Sequence, residues 1–502
     1  AARIKPIILL KAGRHELGAQ AAVAHSGMAA VPDAVFDAAL RRTGAVRVQN
    51  IGQLFYAAKA LSSKFHPRGD RLAIVTNGGG PGAVAADRAG DLGIPLASLS
   101  PETCNKLKQI LPADCSYLNP IDIGGDATPE RYRETILAVA VDENVDSTLV
   151  MLSPQAMTEP MEVAQAIIDV AEEVSLTISC CWMGGRQVAK ARRLLEEAGI
   201  PVFRTPETVI ELFHTISKYF RNQKLLLQTP GPTRQSGLTG ERGGRMLIET
   251  LLGERRKVLS EMESKAILRT FNVPVAQTMM ARSASEALFV AEQIGFPVAM
   301  KIDSPDLTRK SEAGGVRLNI ANTQAVWNAY HDIVNTVQLR YPEAAVNGVS
   351  IEPYLSRPHG RELMIGVFRD PLFGPLICFG AGGFDAEIFN ERSLAIPPLN
   401  RFLARDLIES NCASRMLGKF HNHPAVKHDA LEEVLVCISE LVCDLPWIKE
   451  LDLNPLIVDE NGAIVVDARI VIDHALGTGS ERYAHMAIHP YPVHLIQKWQ
   501  MP

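Results

Sequence analysis

Up to about residue 225 the chain alternates short runs that are apolar at every position with longer stretches of helical periodicity. The runs predict strands over 7–10, 72–76, 148–152, 177–181 and 202–204. The stretches between them predict helices over 83–92, 101–111, 129–141, 161–173, 187–198 and 206–222. A strand that is apolar on both faces has to be covered on both faces, and strands separated by helices run parallel. Pro101, Pro129 and Pro206 stand where helices begin, because proline lacks the N–H that the first turn leaves unused. This half of the chain is therefore α/β, with a parallel sheet.

Residues 229–244 (TPGPTRQSGLTGERGG) show no apolar periodicity and predict a linker. A second unit starts near Leu259. Helices are expected over 261–271 and 284–294, and strands over 298–302, 348–354, 362–368, 376–379 and 464–467. Without regular strand–helix alternation this unit is α+β. Lys plus Arg is 51 and Asp plus Glu is 56, a net charge of −5. That near-balance excludes a global basic field for nucleic acid or an anionic membrane. No apolar run reaches the ~18 residues of a spanning helix. Eight cysteines without CxxC or zinc spacing read as reduced core thiols of a cytoplasmic protein.

Two places carry chemistry. The loop Thr76-Asn77-Gly78-Gly79-Gly80-Pro81-Gly82 follows a buried strand and opens a helix, so its backbone N–H groups and the helix N-terminus favour an anion. The ordinary alternative is a tight strand-to-helix turn. The loop has neither the Lys-Ser/Thr of a P-loop nor a GxGxxG pattern, and suits a phosphoryl group carried by another residue. His25, in Ala24-His25-Ser26-Gly27, is the candidate carrier: its small neighbours, in an expected loop after a strand, leave room for a phosphoryl on a nucleophilic imidazole. Against this, a lone histidine is more often a polar loop or core residue.

In the second unit Lys301 ends an apolar strand, where an ammonium neutralises phosphates, and the loop 304–315 ends in Gly314-Gly315. Glu352 and Glu362 flank a strand–loop–strand and offer acceptors to an adenine amine or ribose hydroxyls. Asn454 and Asp467 supply the hard oxygen that Mg²⁺ prefers. Singly these are ordinary, since a strand-end lysine is usually solvated and Asn-Pro is usually a turn. Their order along the chain is what sets them apart.

That order resembles the NDP-forming acyl-CoA synthetases, the superfamily of succinyl-CoA synthetase and ADP-forming acetyl-CoA synthetase. The segment from Lys5-Pro6-Ile7 to His25-Ser26-Gly27 is similar to the family's phosphohistidine-bearing segment. Thr76–Gly82 together with Asn119-Pro120-Ile121-Asp122-Ile123-Gly124-Gly125 resembles its second ligase domain. From Glu263 to Asp473 the chain resembles an ATP-grasp unit, with Glu450-Leu451-Asp452-Leu453-Asn454-Pro455 the most specific run. The resemblance implies flavodoxin-like ligase domains followed by ATP-grasp, divided as 1–66, 67–228, a linker 229–256, 257–480 and a tail 481–502. It implies ATP contacts at Lys301, Gly314, Gly315, Glu352, Leu355 and Glu362, and Mg²⁺ on Asn454 and Asp467. His25 becomes the phosphohistidine, stabilised by Gly78, Gly79, Gly80 and Gly82. CoA and a small carboxylic acid or acyl-CoA complete the substrates, and a homodimer or larger oligomer is the expected assembly.

Two departures bear on this. The family's CoA-binding domain and most of its phosphohistidine domain have no counterpart here, and the opening Ala1-Ala2-Arg3 lacks a start methionine, so the chain is expected to be a fragment. The ATP-grasp loop reads Thr308-Arg309-Lys310-Ser311-Glu312 where the family often has His-Lys-Ser-Asp, and arginine clamps phosphate rather than carrying it. The ending His489-Pro490-Tyr491-Pro492 is similar to Pat-type bacterial protein lysine acetyltransferases, which would add a GNAT domain to the parent. The sequence therefore predicts an ADP-forming, acetate-type acyl-CoA synthetase segment, with an ATP- or acyl-CoA-sensing regulatory region of an acetyltransferase as the alternative.

Overall fold

The computed structural model describes residues 2, 4–26, 31–63, 65–229, 239–307, 310–355, 357–383, 391–476 and 483–491, with backbone alone at 25–26 and 239–242. The chain divides into two compact units, one made of Ala1–Asp33 and Leu40–Leu227, the other of Ala34–Ala39 and Gln228–Pro502.

In the first unit β1 (Ile8–Leu10) and β2 (Val46–Val48) form a parallel pair. A separate five-stranded parallel sheet has the order β4-β3-β5-β6-β7, from β3 (Leu72–Thr76), β4 (Ile121–Asp122), β5 (Ser147–Leu152), β6 (Thr177–Trp182) and β7 (Val202–Phe203). Ala73, Val75, Val150 and Leu152 face one core cluster, while Leu72, Ile74, Leu149 and Met151 face another. The unbroken apolar runs follow from this, because successive side chains point to opposite, equally buried faces. Each of the Val, Leu, Ile and Met side chains among them is worth roughly 1.5–3 kcal/mol of burial. Ser100 and Thr128 accept from the backbone N–H of Thr103 and Arg131, capping the helices opened by Pro101 and Pro129. The Asn119 amide donates to the carbonyls of Leu72 (2.8 Å) and Ala97 (3.0 Å) and accepts from the Ile74 N–H (2.9 Å), which pins the approach to β4 against β3.

The second unit holds two antiparallel sheets. The first, in the order β10-β9-β11-β8, comprises β8 (Met279–Ala281), β9 (Val298–Asp303), β10 (Val316–Ile320) and β11 (Gly348–Pro353). Helices Ala284–Ile294 and Thr323–Arg340 share its core through Ala287, Val290, Ile333 and Val337. The second sheet has the order β14-β13-β12-β15-β16, with β17 also paired to β15. Its strands are β12 (Arg361–Asp370), β13 (Gly374–Ala381), β14 (Ser393–Ala395), β15 (Ile448–Val458), β16 (Ala463–Val465) and β17 (Ala468–Ile472).

Several sequence expectations change. The linker 229–244 gives way to a helix, Thr239–Gly253, in its second half, while 230–238 lie outside the described residues. Ile248 and Leu251 are buried, and a Cβ on Gly244 would stand 2.8 Å from Thr270 Oγ1, so the glycine that reads as a linker permits close helix packing. The segment carrying His25 is the end of a helix, Glu16–Ser26, rather than a loop, because its alanine-rich run has high helix propensity. The strand expected over 464–467 is β16, and Asp467 occupies the short corner before β17. Asn454-Pro455, a dipeptide that is usually a turn, lies inside β15. There the pairing with β12 shifts, Leu363 opposing Leu456 and Ile365 opposing Leu453, so two residues face one. Proline has no ladder N–H to give, and a bulge absorbs it while re-aiming its neighbour's side chain. Among the described residues no helix is long and apolar enough to cross a membrane.

Candidate functional site

A cavity of about 1090 Å³ opens in the second unit. Lys301, Glu352, Leu355, Glu362, Asn454 and Asp467 all line it, so the structure gathers these sequence candidates although they span much of the unit. Gly314 and Gly315 do not line it. They shape the turn beneath: Gly315 N–H donates to the Lys310 carbonyl (2.8 Å) and Gly314 N–H to that of Ser311 (3.0 Å). A Cβ on Gly315 would lie 2.4 Å from Ile302 Cγ2, so only glycine fits against β9.

The floor of the cavity is an ionic cluster. Lys301 Nζ lies 2.5 Å from Glu352 Oε1, 3.5 Å from Glu261 Oε1 and 3.9 Å from Asp467 Oδ2, and donates to the Val466 carbonyl (3.3 Å). Lys265 Nζ donates to Glu261 Oε1 (2.8 Å), Glu352 Oε2 (2.9 Å) and Thr278 Oγ1 (2.7 Å). Lys310 Nζ donates to Glu261 Oε2 (2.5 Å). Glu352 is thus engaged through both oxygens and is only 3% exposed, which makes it a holder of Lys301 rather than an open acceptor for an adenine amine or ribose.

Glu261, Lys265 and Lys310 were not singled out by the sequence. A signal exists: Lys265 sits with Ser264, Ile267 and Leu268 on the buried face of the helix Glu261–Thr270, four residues after Glu261. A lysine on an apolar face needs a buried carboxylate. That helix starts with a capping box between Ser260 and Glu263, which fixes Glu261 in the first turn.

Burial alone would raise the Glu261 carboxyl, but Lys301, Lys310 and Lys265 outweigh it and hold the group ionised. Burial alone would lower Lys301, but Glu261, Asp467 and Glu352 outweigh that and keep it charged. Asp467 is pushed above the usual carboxylate range by burial and by the Glu261 charge, against the pull of the lysines. Asp452, another cavity residue the sequence did not single out, is raised by burial. A carboxyl whose ionised form is disfavoured in this way gains from a nearby cation. Asn454 Oδ1 accepts from Gly383 N–H (2.9 Å) and has a second lone pair to offer. One carboxylate and one amide oxygen fit Mg²⁺, which keeps most of its shell as water and substrate phosphate. Among the described residues no group of three or more His, Cys, Asp or Glu forms a metal cage. Glu362 packs so closely on Gly383 (φ +55°) that a Cβ there would meet its carboxylate at 1.7 Å. Ala299, Pro353, Leu355 and Ile457 give the cavity apolar lining suited to a flat ring.

In the first unit β3 leads into the helix Gly79–Asp91, whose N-cap Gly78 offers no side-chain oxygen to the first turn. The N–H groups of Gly79 and Gly80 belong to that turn and have no carbonyl partner within the helix. The loop lies between the ends of β3 and β5, where the strand order reverses, the usual ligand crevice of an open parallel sheet. Asn77 clasps the crevice, donating to the Ser153 carbonyl (2.8 Å) and accepting from its N–H (2.7 Å). Ser153 Oγ is buried without a hydrogen-bond partner among the described residues, 3.1 Å from where a Cβ on Gly78 would lie. Gly82 is required by packing, since a Cβ would stand 2.9 Å from Thr76 Cγ2, whereas Gly80 has open space. The His25 side chain lies outside the described residues, as do Thr308 and Arg309.

Comparison with known proteins adds the chemistry. Domain models match along the chain: a succinyl-CoA ligase like flavodoxin domain over 1–61, a Ligase-CoA domain over 72–225 and an ATP-grasp domain over 250–472. The acetate–CoA ligase [ADP-forming] I of Archaeoglobus fulgidus is 35% identical over 471 residues, 94% of this chain and 67% of that protein. The chain belongs to the ADP-forming acyl-CoA ligase family. Another member, the 4-hydroxybutyrate–CoA ligase [ADP-forming] of Nitrosopumilus maritimus, is 30% identical over 468 residues, 93% of this chain and 66% of that protein. The chain thus spans about two thirds of the length of these curated relatives. A solved structure of the dinucleotide forming acetyl-coenzyme A synthetase 1 of Ca. Korarchaeum cryptofilum, in complex with coenzyme A, Ca-AMPCP and HgCl+, is 34% identical. It covers 46% of this chain and 100% of that one, with a TM-score of 0.44.

Proposed function

We propose that this ligase-family chain binds Mg-ATP in the cavity of its second unit and relays the γ-phosphoryl through His25 toward a small carboxylic acid of the acetate type. CoA enters as co-substrate of the complete protein. The observation that carries the reading is the convergence of Lys301, Asn454 and Asp467 on one cavity with a buried, charge-balanced floor. Lys301 neutralises phosphate charge, Leu355 contributes to the apolar wall for the base, and Glu362 serves the ribose. Asn454 and Asp467 would hold Mg²⁺, which supplies charge neutralisation of the phosphates when bound. An imidazole nitrogen of His25 attacks the γ-phosphorus: an N–P bond forms and the bond to the ADP oxygen breaks. The carboxylate oxygen then displaces the imidazole to give an acyl phosphate, from which the CoA thiol displaces phosphate. The glycine loop, with the N–H groups of Gly79 and Gly80 and the Ser153 hydroxyl, offers neutral donors to a phosphorylated His25. Domain limits of 1–66, 67–228 and 257–480 belong to the same reading.

A second reading rests on Arg309, which stands where many members have a histidine. In it the chain binds ATP or acyl-CoA as a regulatory region of a GNAT-type acetyltransferase and transfers nothing. Incubation with γ-labelled ATP separates the two. Phosphotransfer gives acid-labile, base-stable label that His25→Ala abolishes. Label that survives in the variant removes His25 from the mechanism, and ATP binding with no label in either protein favours the regulatory role.

A further inference from the structure

The lysines of the cavity floor differ in how fully they are used. An ammonium has three N–H donors. Those of Lys265 are all spent, on Glu261, Glu352 and Thr278. Lys301 is held by Glu352 and the Val466 carbonyl, with Glu261 and Asp467 close by. The Lys310 ammonium makes one hydrogen bond among the described residues, to Glu261 Oε2, and it lines the cavity with donors to spare. It also comes from a different kind of element. Lys301 and Lys265 are fixed on a strand and a helix, whereas Lys310 rides on the turn that Gly314 and Gly315 fasten to β9, where Ile302 N–H donates to the Gly315 carbonyl (2.7 Å).

We propose that Glu261 is a positioning residue: it holds Lys310 at the phosphate end of the cavity and yields it to a phosphate oxygen when a nucleoside triphosphate enters. This rests on the reading of the cavity as an ATP site. The exchange moves one ammonium from a carboxylate to a phosphate and changes no covalent bond. It is feasible because Glu261 keeps Lys265 and Lys301 beside it when Lys310 leaves, so no buried carboxylate is stranded. Glu261 and Lys310 therefore have opposite effects on binding. Without Lys310 the polyphosphate loses a charged donor. Without the Glu261 charge, Lys310 has no partner to leave, so ATP binds at least as well while the turn loses its anchor and transfer slows.

The test is calorimetric titration of the full chain with Mg-ATP and with AMP, alongside thermal unfolding and the rate of γ-phosphoryl labelling. Lys310→Met is expected to weaken ATP about tenfold, the worth of one charge-assisted hydrogen bond, with AMP changed less than about twofold. Lys310→Arg is expected to restore most of the ATP affinity. Glu261→Gln is expected to leave ATP affinity unchanged or raised while labelling slows about tenfold. The inference falls if Lys310→Met binds ATP like the parent, if it weakens ATP and AMP alike, or if Glu261→Gln weakens ATP binding in a folded protein. A parent chain that binds no Mg-ATP overturns the ATP reading, and this inference with it. The binding arms decide the matter whether or not label transfers.

Discussion

The two units handle negative charge by opposite means. The glycine loop of the first unit presents backbone N–H groups at a helix N-terminus, with a buried hydroxyl beside it. The cavity of the second unit presents Lys301 and Lys310 over a floor of Lys265, Glu261 and Glu352. Backbone donors are fixed by the fold and carry no full charge, which suits a group that must dock and then leave. Side-chain ammonium groups neutralise a polyphosphate but need buried counter-charges, and that makes the second site expensive to alter. The contrast predicts that substitutions in the cavity floor damage stability far more than those in the loop.

The largest effect is expected from Glu352→Ala, which strips a partner from both Lys265 and Lys301. Removing one member of a buried ion cluster costs about 3–5 kcal/mol, to be read as the loss of the second unit's transition in urea. A change under 1 kcal/mol (on the order of a surface pair) would erase the contrast. In the loop, Gly82→Val should cost about 1–3 kcal/mol through the clash with Thr76 Cγ2, while Gly80→Ala should be neutral within about 0.5 kcal/mol. If Gly80→Ala keeps the melting temperature yet reduces phosphoryl label, the open space above Gly80 is reserved for the docked group.

A pH series sharpens the comparison further. His214, on the helix Pro206–Leu227 of the first unit, is lowered to about 4 by burial, helped by Lys218 and Arg88. The unfolded chain takes up a proton near the ordinary 6.5 and the folded chain does not, so stability falls as pH drops from there to about 4. The upper limit is roughly 3 kcal/mol, less to the extent that water reaches the half-buried ring. Urea melts between pH 7 and 4 should show the slope, and His214→Gln should flatten it. The smallest effect belongs to the exposed pair Lys59–Glu196 (2.9 Å): Lys59→Ala should stay within about 0.5 kcal/mol.

Much of the first unit was legible in sequence because its strands are buried on both faces, as Leu72 and Ala73 show by entering different cores. The second unit was read less fully. Its longest strand, β15, hides behind Asn454-Pro455, since a proline inside a ladder looks like a turn until the bulge against β12 is seen. Lys301, Asn454 and Asp467 were found by their order along the chain, and they share the cavity. Lys265 and Glu261 escaped because an i,i+4 pair on a helix usually marks a solvated face, and only the tertiary fold turns this one inward. Gly314 and Gly315 read in sequence as phosphate contacts, yet the close approach of Thr336 to Gly314 and of Ile302 to Gly315 gives them a packing role that composition does not reveal. His25, beside Ser26-Gly27, reads as a loop residue, although the alanine run before it favours the helix that forms.

The central claim is that the ionic cavity is a nucleotide site, and equilibrium binding of Mg-ATP to Lys301→Met tests it most directly. The parent chain should bind one equivalent, and the variant, still folded by thermal unfolding, should bind about 100-fold more weakly, the upper end for loss of one charge-assisted phosphate contact. A parent that binds no Mg-ATP, or a folded variant that binds it as tightly as the parent, would contradict the account.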